Sequence, residues 1–286
     1  MTEKRKERKR FKTRWKLIVA YDGTDYSGWQ IQPERRTIQE TLADAIKSVT
    51  GERALPQGSG RTDAGVHAYG QVASVGLYAD IPEENLLRAL NRILPGSIRI
   101  LEARRMGPKF HARGKVLSKT YAYRIFLRRP KSDATERICL PERARYVWDC
   151  PLRLDADAMQ AAAQIVIGEH DFTSFAAFDP DRSARIAQQD ENGPDNIRTI
   201  FRSEWIREND ELTYTVSGSG FLHHMVRNLV GTFVAVGAGR FSVDDVKEIL
   251  AAKDRGRAGA TAPPQGLALM EVIYADTPAT TGDDWP

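Results

Sequence analysis

A glycine-rich segment near residue 60 holds the side chains best suited to chemistry. Residues 58–71 contain Arg61 and Asp63 among four glycines, and such a segment lets side chains and backbone approach a ligand closely. A phosphate-binding P-loop is one alternative, but its Gly-Lys-Ser/Thr ending is missing and Arg61-Thr62-Asp63 stands in its place. A tight turn held by an Arg–Asp ion pair is another. The local sequence does not decide between a turn and a reactive site.

Short segments with distinctive sequences stand along the whole chain, and residues 60–68 are one of them. In chain order they are residues 21–24, 28–30, 60–68, 110–113, 119–123, 170–175, 220–228 and 261–267. This ordered set closely resembles the motifs of the tRNA pseudouridine synthase A family. The resemblance covers roughly residues 15–275, and a whole set in the right order is highly specific.

The resemblance implies a reaction, a substrate and an assembly. The reaction is isomerisation of uridine to pseudouridine at positions 38, 39 and 40 of the tRNA anticodon stem-loop, without a metal or organic cofactor. The assembly is a homodimer. Each subunit has two ferredoxin-like domains with the active cleft between them.

The chemistry places demands on particular residue types. An N-glycosidic bond must break and the uracil must rejoin through carbon 5, so a carboxylate is a suitable catalyst. Asp63 is the candidate, expected to act as a nucleophile on a flipped-out base. Whether it attacks the ribose, adds to the uracil ring or removes a ribose proton stays open.

Two more catalytic residues follow from the resemblance. Arg227 is expected to keep Asp63 ionised and oriented, although an arginine on a helix commonly pairs with any surface acid. Tyr121 is expected to pack on the target base. Alternatively, Tyr121 and Tyr123 are both core residues of a strand.

RNA contacts are also implied by the resemblance. Arg61 is expected to hold the flipped nucleotide or fill the space that it leaves. The other expected contacts are Phe110, His111, Ala112, Arg113, Gly114, Arg129, Phe175, Ala176 and Ala177. The alternative is a basic surface loop with no fixed register on RNA.

The neighbouring histidines His223 and His224 raise the question of a metal site. Adjacent residues on a helix point about 100° apart, and no carboxylate or cysteine stands at ligand spacing in the sequence. We therefore expect no metal site.

The elements that position these residues follow from hydrophobic periodicity. The first half reads as a strand at 15–21, a helix from Thr37 to Gly51, strands at 52–57 and 70–77, a helix from Pro82, and a strand at 97–105. The second helix places Leu86, Leu87, Leu90, Ile93 and Leu94 on one face. This order is the ferredoxin-like split βαβ arrangement, with both helices on one side of an antiparallel sheet.

The second half repeats this plan with longer additions. We expect a strand at 116–128, a helix at 155–167, strands at 197–207 and 211–218, helices at 222–237 and 242–252, and a strand at 267–274. The predicted fold class is α+β, with two ferredoxin-like domains at 15–108 and 109–275, antiparallel sheets, and a cleft between them. A disordered basic arm at 1–14, a mobile polar insertion at about 179–195 and a flexible tail at 276–286 complete the predicted organisation.

Composition excludes some classes of protein. Hydrophobic residues make up 41% and charged residues 28% of the chain, and no apolar run approaches the roughly 20 residues of a membrane span. The N-terminus lacks the apolar stretch of a secretory signal, so we expect a cytosolic protein. Cys139 and Cys150 have neither zinc-site nor disulfide-scaffold spacing and are expected to be ordinary thiols.

Charge favours a polyanionic partner. Residues 99–145 hold fourteen lysines and arginines against four acids, and residues 1–14 hold eight against two. The first run is interleaved with aromatic residues, which favours nucleic acid over a merely solvated basic face. The N-terminal run is either an RNA-binding arm or a solubilising end. A non-catalytic RNA-binding protein and a glycosidic-bond hydrolase, with Asp22 or Asp25 as its second carboxylate, are the rival functions.

Overall fold

The computed structural model describes residues 12–130, 135–178 and 196–275. The predicted polar insertion and C-terminal tail lie outside the described residues, as does nearly all of the predicted N-terminal arm.

The first half follows the predicted order of elements. Its strands are β1 (Thr13–Tyr21), β2 (Gln57–Gly58), β3 (His67–Leu77) and β4 (Ile98–Met106). Its helices are α1 (Ile38–Thr50) and α2 (Glu83–Ile93). β1 lies between β3 and β4 and pairs antiparallel with both, while α2 packs against β4 and α1.

The second half is longer. Its strands are β5 (Val116–Leu127), β6 (Trp148–Cys150), β7 (Gly168–Asp171), β8 (Ile197–Glu208), β9 (Glu211–Gly218) and β10 (Leu267–Tyr274). Its helices are α3 (Pro141–Ala144), α4 (Ala156–Ile165), α5 (Met225–Gly237) and α6 (Asp245–Ala252). β9 and β10 have the predicted bounds, whereas β6, β7 and α3 are short elements that periodicity did not predict.

Strands from both halves join one sheet within the described residues. Its order is β4-β1-β3-β10-β5-β9-β8-β7, with β2 beside β3 and β6 beside β5. We expected separate antiparallel sheets, but β10 pairs parallel with β3 through His67 and Ala68. This pairing is open to β10 because the two residues of β2 pair only with Ala73 and Ser74 of β3.

Local sequence explains why the elements nearest the site form. Alternate residues of β1, from Trp15 to Tyr21, are buried, as the two-residue period of a half-buried strand requires. The side chain of Thr37 caps α1 by accepting the Glu40 N–H at 3.4 Å. Gly51 ends the helix with φ 74, a left-handed conformation that glycine adopts without cost.

Two predictions in the first half are wrong in detail. Of the predicted strand 52–57 only Gln57 lies in a strand, as the first residue of β2, and Pro56 has no N–H to donate to a ladder. Ile93 is 48% exposed, so the buried face of the second helix follows the four-residue spacing of Leu86, Leu90 and Leu94. Among the helices of the described ranges, none is both long enough and apolar enough to span a bilayer.

Candidate active site

Asp63 lies in the loop between β2 and β3, and the segment after β1 fixes the shape of that loop. The Trp29 N–H donates to the Thr62 carbonyl at 3.0 Å. The hydroxyls of Tyr21 and Thr62 lie 2.9 Å apart and share a buried hydrogen bond. Two separate sequence motifs therefore form one structural unit.

Glycines let these two motifs come together. A Cβ atom on Gly23 would lie 2.0 Å from the Val66 carbonyl oxygen, and one on Gly28 would lie 2.6 Å from that of Thr62. Gly28 also has φ 88, a conformation that residues with side chains rarely adopt. A side chain at either position would displace the loop that carries Asp63.

Arg227 is the ionic partner of Asp63. Its Nη1 lies 2.8 Å from Oδ2 of Asp63, and its Nε donates to the Ala262 carbonyl at 2.8 Å. The two side chains are only 13% and 19% exposed. Because Arg227 lies in the first turn of α5, whose other residues are almost all buried, the helix and the second hydrogen bond fix the guanidinium plane. The contact joins residues 164 positions apart.

Two histidines also face Asp63. The Nε2 atom of His223 lies 3.7 Å from Oδ1 of Asp63, and that of His224 lies 3.3 Å from Oδ2. The prediction that the rings point apart on a helix is wrong, because α5 begins only at Met225 and His224 has φ 58. The ring centroids are 4.0 Å apart. Burial lowers the pKa of His224, although the charge of Asp63 acts in the opposite direction.

These three residues could hold a metal ion. One potential ligand atom from each of Asp63, His223 and His224 lies within 4.8 Å of the others. The Nδ1 atom of His223 is engaged by the Phe178 carbonyl at 3.0 Å, which leaves its Nε2 directed towards Asp63. The Arg227 guanidinium on the same carboxylate opposes the binding of a cation. Asp63, which is far from the two histidines in the sequence, is thus the carboxylate that the fold brings beside them.

Tyr121 borders the same cleft from β5. It is 7% exposed, and its ring meets that of Phe221 in an edge-to-face arrangement with 5.1 Å between centroids. Burial raises the pKa of Tyr121 far above its ordinary value, so the phenol keeps its proton. Tyr123 is fully buried, and its hydroxyl donates to the Pro263 carbonyl at 2.7 Å. The two tyrosines therefore have different surroundings.

An open cleft of about 1130 Å³ surrounds these side chains. Its acidic, lysine and arginine lining residues are Arg35, Arg61, Asp63, Arg113, Lys119, Arg198 and Arg227. In the part of the chain that the structure describes, Asp63 is the sole carboxylate among them. A concave surface with this excess of positive charge concentrates a polyanion.

Five of the predicted RNA contacts are exposed on the surface. They are Arg61, His111, Arg113, Gly114 and Arg129. Arg61 and Arg113 line the cleft. Arg129 instead forms an ion pair with Glu136, with 3.3 Å between nitrogen and oxygen.

The remaining predicted contacts are partly or wholly buried. Phe110 and Ala176 are partly buried, and the Ala177 N–H donates to the His223 carbonyl at 2.9 Å. Ala112 and Phe175 have no exposed surface. Both belong to the core and offer no exposed surface to a ligand, and the expectation that they contact RNA stays a prediction.

Sequence reasoning missed Lys119, Arg198 and the histidine pair as residues of this site. Lys119 lies two residues before Tyr121 in β5, and the two-residue period of a strand could have indicated their shared face. Arg198, near the start of β8, and the histidines reach the cleft through long-range packing, for which the local sequence holds no signal.

A partly buried carboxylate–arginine pair thus lies in a cleft whose other lysine and arginine side chains are cationic, and sequence comparison identifies the family of the chain. The family described as tRNA pseudouridine synthase matches residues 17–113 and 162–275. The chain belongs to this family and is therefore an isomerase. This confirms the resemblance seen in the motifs.

Relatives cover nearly the whole chain. A tRNA pseudouridine synthase A of Solibacter usitatus is 43% identical over 261 residues, which is 91% of this chain and 99% of the relative. That of Bacillus pumilus is 41% identical over 261 residues, covering 91% and 98%. Among solved structures, a Cbf5-Nop10-Gar1 complex matches with 13% identity and a TM-score of 0.33, covering 90% of this chain and 59% of that one. That structural likeness is too slight to inform fold or function.

Proposed function

We propose that this chain converts uridine to pseudouridine at positions 38, 39 and 40 of the tRNA anticodon stem-loop, with Asp63 as the nucleophile. The observation that carries the proposal is the Asp63 carboxylate, held 2.8 Å from Arg227 in a cleft that several further arginines and a lysine line. Relatives named tRNA pseudouridine synthase A support tRNA as the substrate. The anticodon arm is inferred from the resemblance of the motifs.

The reaction balances within the substrate. The bond from ribose C1′ to uracil N1 breaks, a bond from C1′ to C5 forms, a proton leaves C5 and N1 gains one, so no oxidant or reductant is needed. Asp63 supplies the electron pair that starts the exchange. Arg227 stabilises that carboxylate in the cleft and keeps it oriented through its second hydrogen bond to Ala262.

A stem uridine must leave its stack before it reaches Asp63, at a cost of a few kcal/mol. The exposed Arg61 at the cleft is suited to hold the flipped nucleotide or to fill the space that it leaves. Tyr121 and Phe221 offer aromatic surface in the cleft wall, against which a uracil can pack. These roles follow from side-chain type and position together.

Within the described residues, the cleft offers the rival hydrolase no second carboxylate. Asp22 lies 3.3 Å from His67 and 3.2 Å from Arg145, and Asp25 also pairs with Arg145 at 3.2 Å. Neither lines the cleft, whereas glycoside hydrolysis ordinarily uses two carboxylates that flank the bond. A protein that only binds RNA has no need of the Asp63–Arg227 pair.

We also infer from the family resemblance a cytoplasmic homodimer. Its subunit would divide near residue 108 into two ferredoxin-like domains. The position of β1 between β3 and β4, and of β5 between β9 and β10, supports that division.

Asp63→Asn tests the proposed function. The purified variant and wild type are given unmodified tRNA that carries tritium at C5 of uridine, and tritium release, pseudouridine and tRNA binding are measured. We expect binding without product. Asp44→Asn, an exposed position on α1, is the matched control and should keep wild-type turnover.

Other outcomes would reject the proposal in identifiable ways. Substantial product from Asp63→Asn would remove Asp63 from the mechanism. Free uracil from the wild type would indicate a hydrolase, and binding without tritium release would indicate an RNA-binding protein. Pseudouridine mapped outside positions 38–40 would overturn the assignment of the substrate site.

A further inference from the structure

Lys119 is a mostly buried cation with no anionic partner within the described residues. Its Nζ donates to the Ser59 carbonyl at 2.7 Å, and in those residues it forms no ion pair with a carboxylate. Removing an ammonium group from water without supplying a counter-charge destabilises the folded state. Such groups concentrate at functional sites, where a bound ligand can provide the missing counter-charge.

Two arginines make the surroundings of Lys119 still more positive. Burial first, and then the charges of Arg113 and Arg198, lower the pKa of Lys119 from 10.5 to about 8. Arg113 lies in the loop before β5, where its Nε donates to the Gly58 carbonyl at 3.3 Å, and Arg198 lies in β8. Three separate chain segments thus bring cations to one wall of the cleft.

The loop between β2 and β3, which carries Asp63, leaves space for the ammonium group of Lys119. A Cβ atom on Gly60 would lie only 2.9 Å from Nζ of Lys119. Lys119 is also two residues from Tyr121 in β5, a rise of about 7 Å along a strand. That separation is on the scale of one nucleotide, so a base beside Tyr121 brings its own backbone close to Lys119.

We propose that Lys119, with Arg113 and Arg198, binds a phosphate group of the RNA backbone next to the target uridine. The inference rests on the proposed function, because it assumes an RNA substrate whose target base lies beside Tyr121. A phosphate offers oxygen acceptors and the negative charge that Lys119 lacks. The lysine binds it as a point charge with three donors, and the arginines can bind it in a planar, two-pronged manner.

Lys119→Met removes the charge and is measured against Lys47→Met, an exposed control on α1. Both changes are made in the Asp63→Asn background, so that binding to a tRNA anticodon stem-loop is read without turnover. We expect Lys119→Met to raise Kd roughly tenfold and to reduce the slope of log Kd against log salt by about one. Lys47→Met should leave both values unchanged.

Single methylphosphonate linkages locate the phosphate. Placed 5′ or 3′ of the target uridine, this neutral linkage should weaken binding strongly at one of the two positions. At that position the neutral linkage should raise the Kd of Lys119→Met much less than the Kd of the protein that keeps Lys119, because the variant has already lost the contact between the lysine and the phosphate. Equal losses in both proteins at both positions would overturn the proposal.

Lys119→Arg and pH separate phosphate binding from a purely structural tie to Ser59. Wild-type affinity should fall between about pH 7 and about pH 9 as Lys119 loses its proton, whereas Lys119→Arg keeps its charge and should lose less. Both proteins share the other charged or titratable groups lining the cleft, so these cancel in the comparison: Arg35, Arg61, Asp63, Arg113, Tyr121, Arg198, His223, His224 and Arg227. Identical pH profiles would favour the structural role and reject the phosphate site.

Failure of this proposal differs from failure of the proposed function. If wild-type protein forms pseudouridine in tRNA while Lys119→Met has wild-type Kd and salt dependence, only the phosphate site is refuted. If wild-type protein forms no pseudouridine in tRNA, the proposed function fails first.

Discussion

Replacing Lys119 by methionine should make the folded protein more stable, the reverse of the usual effect of a mutation at a mostly buried position. The ammonium group is desolvated and has arginines as its charged neighbours, and in the part of the chain that the structure describes its one compensating contact is the Ser59 carbonyl. Methionine keeps an unbranched side chain of similar length and removes the charge. The predicted quantity is an increase in the free energy of unfolding.

The size of the increase follows from the pKa. Lowering the pKa of Lys119 from 10.5 to about 8 corresponds to at most about 3 kcal/mol of destabilisation at neutral pH. Loss of the hydrogen bond to the Ser59 carbonyl offsets about 1 kcal/mol of the gain. A net stabilisation of about 2 kcal/mol is therefore expected for Lys119→Met.

Urea unfolding of the two proteins at a series of pH values measures this difference. Below about pH 8 Lys119 is protonated in both the folded and the unfolded chain, so the advantage of the methionine is complete. Between about 8 and 10.5 the unfolded chain binds more protons than the folded one, so wild-type stability rises with pH and the difference shrinks.

A lower free energy of unfolding for Lys119→Met at pH 7 would refute this reasoning. The reasoning would also be refuted if the difference in free energy of unfolding between Lys119→Met and wild type stayed constant up to pH values above the ordinary pKa of lysine. Lys119→Arg is the control, because it keeps a charge at the same place and should show no such gain.

Three further substitutions, one of them with a matched control, test the site and the packing of α5. Arg227→Lys keeps the charge but loses the planar group that contacts both Asp63 and the Ala262 carbonyl. Single-turnover rates should therefore fall roughly a hundredfold with little change in tRNA affinity. A wild-type rate for this variant would contradict the prediction. Gly231→Ala would place a Cβ atom 1.7 Å from a backbone oxygen and should lower the free energy of unfolding by about 1–3 kcal/mol. Its control is Gly96→Ala, where a Cβ atom would meet no atom within 4 Å and the free energy of unfolding should change by less than about 0.5 kcal/mol. Equal effects of the two substitutions would show that the close approach at Gly231 is not present. Tyr121→Phe keeps the ring that meets Phe221 and should leave unfolding within about 0.5 kcal/mol of wild type, so a rate decrease measured by tritium release would isolate the hydroxyl.

The local elements were predictable because their signals are local. The Thr37 cap and the glycine at residue 51 bound α1 where the sequence predicts it, and β9 and β10 begin and end as predicted. Hydrogen bonds and side-chain preferences within a few residues govern such boundaries. The incorrect strand at 52–57 fits the same rule, because Pro56 cannot donate a hydrogen bond to a ladder and is itself a local signal against a strand.

The sequence by itself determined the family of this protein and its candidate aspartate, through short motifs in a fixed order. Only the tertiary structure decided that β10 joins β3 to make one sheet, and that Arg227, His223 and His224 meet around Asp63. It also decided that Ala112 and Phe175 belong to the core and that Lys119 lies in the cleft wall. The physical reason is distance along the chain, because strand pairing and helix packing bring together residues more than 150 positions apart. The residue pattern within one segment does not show which distant segment will pack against it.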